Sequence, residues 1–137
     1  MRYDSIHSLA DLKRNERLDM NTILYEKNRN IIKKAIKKDL GLTFLEIIIL
    51  EQLKYLNKEK IDAVELKRHL NIDNTPISIQ INNLSNFGLF TKSRDEHDER
   101  RIYLHSIDFD KITKIIRQYH SIVSNILKIN SKSKAPI

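Results

Sequence analysis

The stretch Lys92–Leu104, KSRDEHDERRIYL, follows closely on NTPISIQINNLSNFG at 74–88. Every side chain from Asp95 to Arg101 is charged or an imidazole, so this block cannot enter a core. It is flanked by apolar–polar alternation, with Leu89, Phe90 and Thr91 before it and Ile102, Tyr103 and Leu104 after it. That is the pattern of a β-hairpin with a charged tip. The run before it is uncharged and has helical spacing. A helix followed at once by a charged hairpin is the layout of a winged helix-turn-helix. In that layout the helix enters a DNA major groove and the hairpin reaches the backbone and minor groove.

Outward from this stretch the chain reads mostly as helix. Its 137 residues are enough for one domain with a core, and 40% of them are hydrophobic. Only Gly41, Gly88, Pro76 and Pro136 punctuate it. Apolar residues at helical spacing predict a short helix near 5–16 and a longer one near 19–39, ended by Gly41 as a C-cap. Thr43 with Glu46 forms a capping-box pattern opening TFLEIIILEQLKYL, apolar nearly all round and predicted to be the central buried helix. Residues 57–62 read as a polar loop, AVELKRHL at 63–70 as a short amphipathic helix, and 71–74 as a turn. The next helix is expected over Thr75–Phe87, with Pro76 near its first position and Gly88 closing it. A long helix follows over 107–130, and 131–137 reads as a frayed tail. The expectation is a single domain, mainly α with a small β-hairpin wing. Its winged-helix head would span 43–105, and helices in 5–40 and 107–130 would pair across a two-fold axis as a homodimer.

On a helical wheel, Ile77, Ile81 and Leu84 share one face and should pack inward. The opposite face carries Thr75, Ile79, Asn82, Asn83 and Asn86, with Ser78 at its margin. Asparagine can bind adenine bidentately, and an apolar side chain such as Ile79 can meet a thymine methyl. A plain solvated face would look the same in isolation; the adjoining hairpin favours the DNA reading. In that hairpin Lys92, Arg94 and Arg100 are candidate phosphate or minor-groove contacts. Asp98 could hold a guanidinium bidentately, and Glu99 would help orient the arginines. Lys67 and Arg68, on the positioning helix, are candidate phosphate contacts.

Net charge is +7, which favours a polyanionic partner. The excess is unevenly placed. Residues 111–137 hold Lys111, Lys114, Arg117, Lys128, Lys132 and Lys134 and no acid. Residues 72–110 hold Asp73, Asp95, Glu96, Asp98, Glu99, Asp108 and Asp110 against Lys92, Arg94, Arg100 and Arg101.

These motifs resemble a known family. Leu70-Asn71 followed by Thr75-Pro76, then Leu84-Ser85, Phe90, and Lys92-x-Arg94-x-Glu96-His97-Asp98-Glu99-Arg100 are similar to the Sar family, the staphylococcal accessory regulators of the MarR-type winged-helix class. Thr43-Phe44-x-Glu46 fits as well. The resemblance covers about residues 30–104. It implies a dimeric transcriptional regulator acting on A·T-rich promoter DNA, often of virulence genes, with Arg94, Asp98, Glu99 and Arg100 as wing residues in DNA binding. Two departures stand out. Many relatives carry a redox-sensing cysteine in the first helix, whereas this chain has none and places Asp19 nearby. Relatives often carry Lys in the recognition helix, whereas this helix is neutral.

The absence of cysteine also excludes disulfides, thiolate metal sites and thiol nucleophiles. His97 among acids is a poor metal cage, and the other histidines lie apart in sequence. No phosphate-binding loop, dinucleotide fingerprint or nucleophile elbow appears. Neither an enzyme, a cofactor nor a metal is expected. MRYDSIHSLADLKRNERLD lacks a signal-peptide core, and no segment is long and apolar enough to span a bilayer, so a cytoplasmic protein without a membrane partner is expected. No residue names a small-molecule effector. The alternative reading is a protein-interaction module or an antagonist of another regulator, with an acidic tip that repels DNA.

Overall fold

A computed structural model describes residues 22–134. Among these residues the elements run α1 (Thr22–Leu40), α2 (Phe44–Leu56), β1 (Lys60–Asp62), α3 (Ala63–His69), α4 (Ser78–Asn86), β2 (Thr91–Arg94), β3 (Ile102–His105) and α5 (Phe109–Lys134). The helix expected near 5–16 lies outside the described residues.

Helix α2 is the centre of the molecule. Ile47, Ile49, Leu50 and Leu53 are buried, and α2 packs against α3, α4 and α5. Its start follows the sequence pattern: Thr43 accepts from the Glu46 N–H at 3.3 Å, and the Glu46 carboxylate accepts from the Thr43 N–H at 2.9 Å. Gly41, at φ 73°, turns the chain from α1 into this cap. Helix α1 lies along α5, bringing Ile32 and Ile36 against the same core as Ile112 and Ile116.

Three elements differ from expectation. The polar loop at 57–62 contains a strand, β1, whose Ile61 pairs with Leu104, so the sheet has three antiparallel strands in the order β1-β3-β2. Both Ile61 and Leu104 are fully buried, and their contact is what makes so short a strand. The helix expected from Thr75 begins at Ser78. Thr75 donates its N–H to the Ile72 carbonyl at 2.8 Å in a turn, and Ile77 sits at φ −126°, outside helical space. Thr75 is also the residue before a proline, where the α region is crowded out. At the other end, α5 runs on to Lys134 through part of the stretch read as a tail. Its serines only mildly weaken a helix and its lysines favour one; the first true breaker is Pro136.

Helix α4 ends in a Schellman motif. The Gly88 N–H reaches the Ser85 carbonyl at 2.9 Å and the Leu89 N–H reaches Leu84 at 3.3 Å, with Gly88 at φ 78°. Leu84 and Leu89 are both buried, which supplies the apolar contact of that motif. The chain thereby passes from α4 into the hairpin with almost no slack.

Candidate nucleic-acid interface

The two halves of the site meet at one polar contact. On α4, Ile77, Ile81 and Leu84 are buried, which leaves Ser78, Ile79, Asn82 and Asn86 exposed on the opposite face. Ile79 is 69% exposed, an apolar side chain on an otherwise polar face. Strand β2 packs beside α4, and Lys92 donates its Nζ to the side-chain amide oxygen of Asn82. Lys92 reaches α4 because its Cα pairs with that of buried Leu104, on the sheet face turned to the core.

The hairpin tip is held by its own polar groups. The Asp95 N–H bonds the Arg101 carbonyl at 2.9 Å, and the Arg101 N–H bonds the Asp98 carbonyl at 2.9 Å. One oxygen of Asp98, Oδ1, accepts both the Arg100 N–H at 3.0 Å and the Arg100 Nε at 3.1 Å. Asp98 therefore orients Arg100, but through Nε and the main chain and not by the expected bidentate fork. The Arg100 side chain is 92% exposed and points away from the body of the domain. Glu99 bears on Arg94 through its carbonyl, which accepts from Nη1 at 2.8 Å, and not through its carboxylate. Of these tip acids, Asp98 is occupied internally, while Glu96 and Glu99 are exposed.

Sequence reasoning missed Asp62 and Arg101. Arg101 donates Nε at 3.0 Å and Nη2 at 2.7 Å to Asp62 Oδ2, tying the exit of the tip to β1. Asp62 also caps α3 by accepting from the Val64 N–H at 2.7 Å. Burial alone would push its carboxyl up, but the Arg101 guanidinium and the Val64 N–H together outweigh this and hold it below the usual carboxylate range. The signal available was Asp62 directly before an amphipathic run, an N-cap pattern.

The remaining predicted residues divide. Lys67 and Arg68 lie on α3, Lys67 half-buried and Arg68 exposed. Thr75 is exposed in the turn that leads into α4, not on the helix face. Asn83 is exposed, but its amide nitrogen donates to Glu46 Oε2 at 3.0 Å. Among the described residues no group of three His, Asp or Glu side chains converges as a metal site, and no helix is long and apolar enough to cross a membrane.

Comparison with known proteins places this geometry. YusO from Bacillus subtilis superposes with a TM-score of 0.63 at 16% identity, over 90% of this chain and 84% of its own. The reduced form of MarR from E. coli does so at 0.58 and 17% identity, over 96% and 88%. Reduced AbfR, in a structure bound to DNA, gives 0.54 and 14%, over 93% and 99%. At such identities the likeness is one of fold, the MarR-type winged helix. No curated protein matches the sequence. The family described as Transcriptional regulator SarA/Rot matches residues 30–117, a span that takes in α2 to β3 whole and with them the capping box, α4 and the wing. That span is more than half of the sequence, and the chain belongs to the SarA/Rot family of transcriptional regulators, which are DNA-binding proteins and not enzymes.

Proposed function

We propose that the chain acts as a homodimer on A·T-rich promoter DNA, with α4 in the major groove and the wing at the minor groove. The observation that carries this is the joined surface of α4 and β2. Lys92 links to Asn82, and from there the wing extends to Arg100, exposed and pre-oriented by Asp98. Ser78, Ile79, Asn82 and Asn86 would meet base edges, Ile79 finding on a thymine methyl the cover it lacks. Lys67, Arg68 and Thr75 would meet phosphates beside them. Lys92 would bridge helix and strand at the groove edge, and Arg94 would stand behind the tip, braced by the Glu99 carbonyl. Arg100 would enter the narrow, negative minor groove that A·T-rich sequence provides. AbfR, which shares the fold, has been seen on DNA. The target promoters are proposed, from the family resemblance, to be those of virulence and exoprotein genes, which places the protein in the cytoplasm.

The test is titration of an A·T-rich duplex at several salt concentrations, wild type beside Arg100→Ala. Binding that falls steeply as salt rises and weakens about tenfold or more in the variant supports the regulator reading. One observation favours the alternative of an interaction module or antagonist: the acid excess across residues 72–110. That reading predicts weak duplex binding, indifferent to Arg100→Ala.

A further inference from the structure

We propose that Asn83 is a positioning residue and not a base reader: buried Glu46 grips it and so sets the rotation at which α4 presents its reading face. This rests on α4 being the reading helix. Glu46 is 1% exposed, the one charged residue among the buried side chains described. Its two oxygens are divided. Oε1 takes the Thr43 N–H at 2.9 Å, completing the cap of α2, and Oε2 takes the Asn83 amide at 3.0 Å. A carboxylate can only accept, so the nitrogen end of Asn83 must face it. A buried carboxylate is costly unless hydrogen-bonded, and its place in the first turn of α2 favours the negative charge. The pair is therefore satisfied and directional, with its carboxylate end buried.

Helix α4 needs such a fixture. It has nine residues, and Ile77 at its N-cap position makes no side-chain cap. Its C-terminus is pinned by the Schellman motif, and its other polar tethers reach only the adjoining β2 segment, Asn82 to Lys92 and Ser85 to the Phe90 carbonyl. Toward α2 its buried contacts are Ile81 and Leu84, and apolar packing is non-directional. A rotation of about 10° at the ~5–6 Å radius of a helix with its side chains moves their tips by about 1 Å. That is enough to spoil a base contact made over 2.7–3.2 Å for all readers at once. The Glu46–Asn83 bond holds this rotation against α2, the most deeply buried element of the domain.

The experiment uses the full chain and a duplex selected by the wild-type protein from a random-sequence library, with a scrambled duplex as reference. Asn83→Asp sets two carboxylates face to face. The preference for the selected duplex over the scrambled one is expected to fall about tenfold, comparable to losing one charge-assisted hydrogen bond. Adding Glu46→Gln keeps the capping box, since Gln serves at that position, and supplies an amide donor to the new carboxylate. The preference should return to within about threefold of wild type. Charge repulsion between position 83 and DNA would persist in the double variant, so recovery isolates positioning. Absence of recovery overturns the proposal. Should Asn83→Asp fail to fold, Asn83→Ala is scanned against single-base changes in the selected duplex. Relaxed discrimination at several base pairs supports positioning; relaxation at one pair alone restores Asn83 as a base reader and overturns it. A wild-type protein that selects no sequence overturns the regulator reading itself, whereas selection without recovery overturns only the role of Asn83.

Discussion

Asp62 carries three jobs on one short side chain. It ends β1, caps α3 and anchors Arg101. Because its carboxyl sits below the ordinary value, it stabilises the fold in its charged form. The sign follows from linkage: the contribution is complete above the unfolded pKa, ~3.9, and is lost as pH falls through the lower folded value. Asp62→Asn separates these jobs, since Asn is as good an N-cap as Asp but cannot pair with Arg101 as an ion. The variant should retain α3, lose no more than about 4 °C of melting midpoint at pH 7, and show a shallower decline between pH 5 and pH 3. Melting curves across that range decide it; parallel acid limbs for the two proteins would show that the pair contributes nothing. Arg100, the adjacent residue and so only ~3.3 Å of chain from this anchor, stays 92% exposed on Asp98 while Arg101 is tied to β1.

The junction between α1 and α2 turns on Gly41. Its φ of 73° is left-handed, and a Cβ there would stand 3.3 Å from Cζ of Phe87, at the end of α4. Phe87 is 45% exposed and can yield, so the strain of a side chain at 41 is mostly in the backbone. Gly41→Ala should cost about 1–2 kcal/mol, read as a lower urea midpoint with unchanged slope. An unchanged midpoint would mean that the turn relaxes without a left-handed residue. This junction was readable from the chain because every signal in it is local: a glycine after a periodic run, and a threonine three residues before a glutamate. The same holds for the inward face of α4, set by Ile77, Ile81 and Leu84 at helical spacing. What escaped was non-local. Strand β1 is too short to show alternation, and it exists because Ile61 meets Leu104 from far along the chain. The start of α4 was misplaced because Pro76 suits a first helical turn, yet the turn bond from Thr75 to Ile72 takes that residue out of the helix. The tether on Asn83 escaped for the same reason, its partner Glu46 lying 37 residues away.

The domain as described has an unfinished apolar side. Tyr25 and Ile48 are 66% and 44% exposed, and Leu127 on α5 is 45% exposed. A cavity of about 460 Å³ between α1, α2 and α5, lined by Tyr25, Phe44, Ile48, Tyr119 and Leu127 among others, opens on the same side. Large apolar side chains gathered on one side of a domain are uncommon unless a partner covers them, and burial of each is worth about 1.5–3 kcal/mol. A second copy related by a two-fold axis would cover both terminal helices at once. It would also set two α4–wing units on one duplex, ideally about 34–36 Å apart. Two weak heads so joined bind as one strong reader, because the second engages at a high effective concentration. The variant Tyr25→Glu with Leu127→Glu places charges on that side without touching the buried core. Light scattering should then report half the wild-type mass, with the far-ultraviolet spectrum retained. Affinity for a duplex with two half-sites should drop by about a hundredfold or more, while affinity for a single half-site should change little. A wild-type mass already that of one chain would dismiss the two-fold arrangement. Equal losses on both duplexes would show that the two heads do not act together.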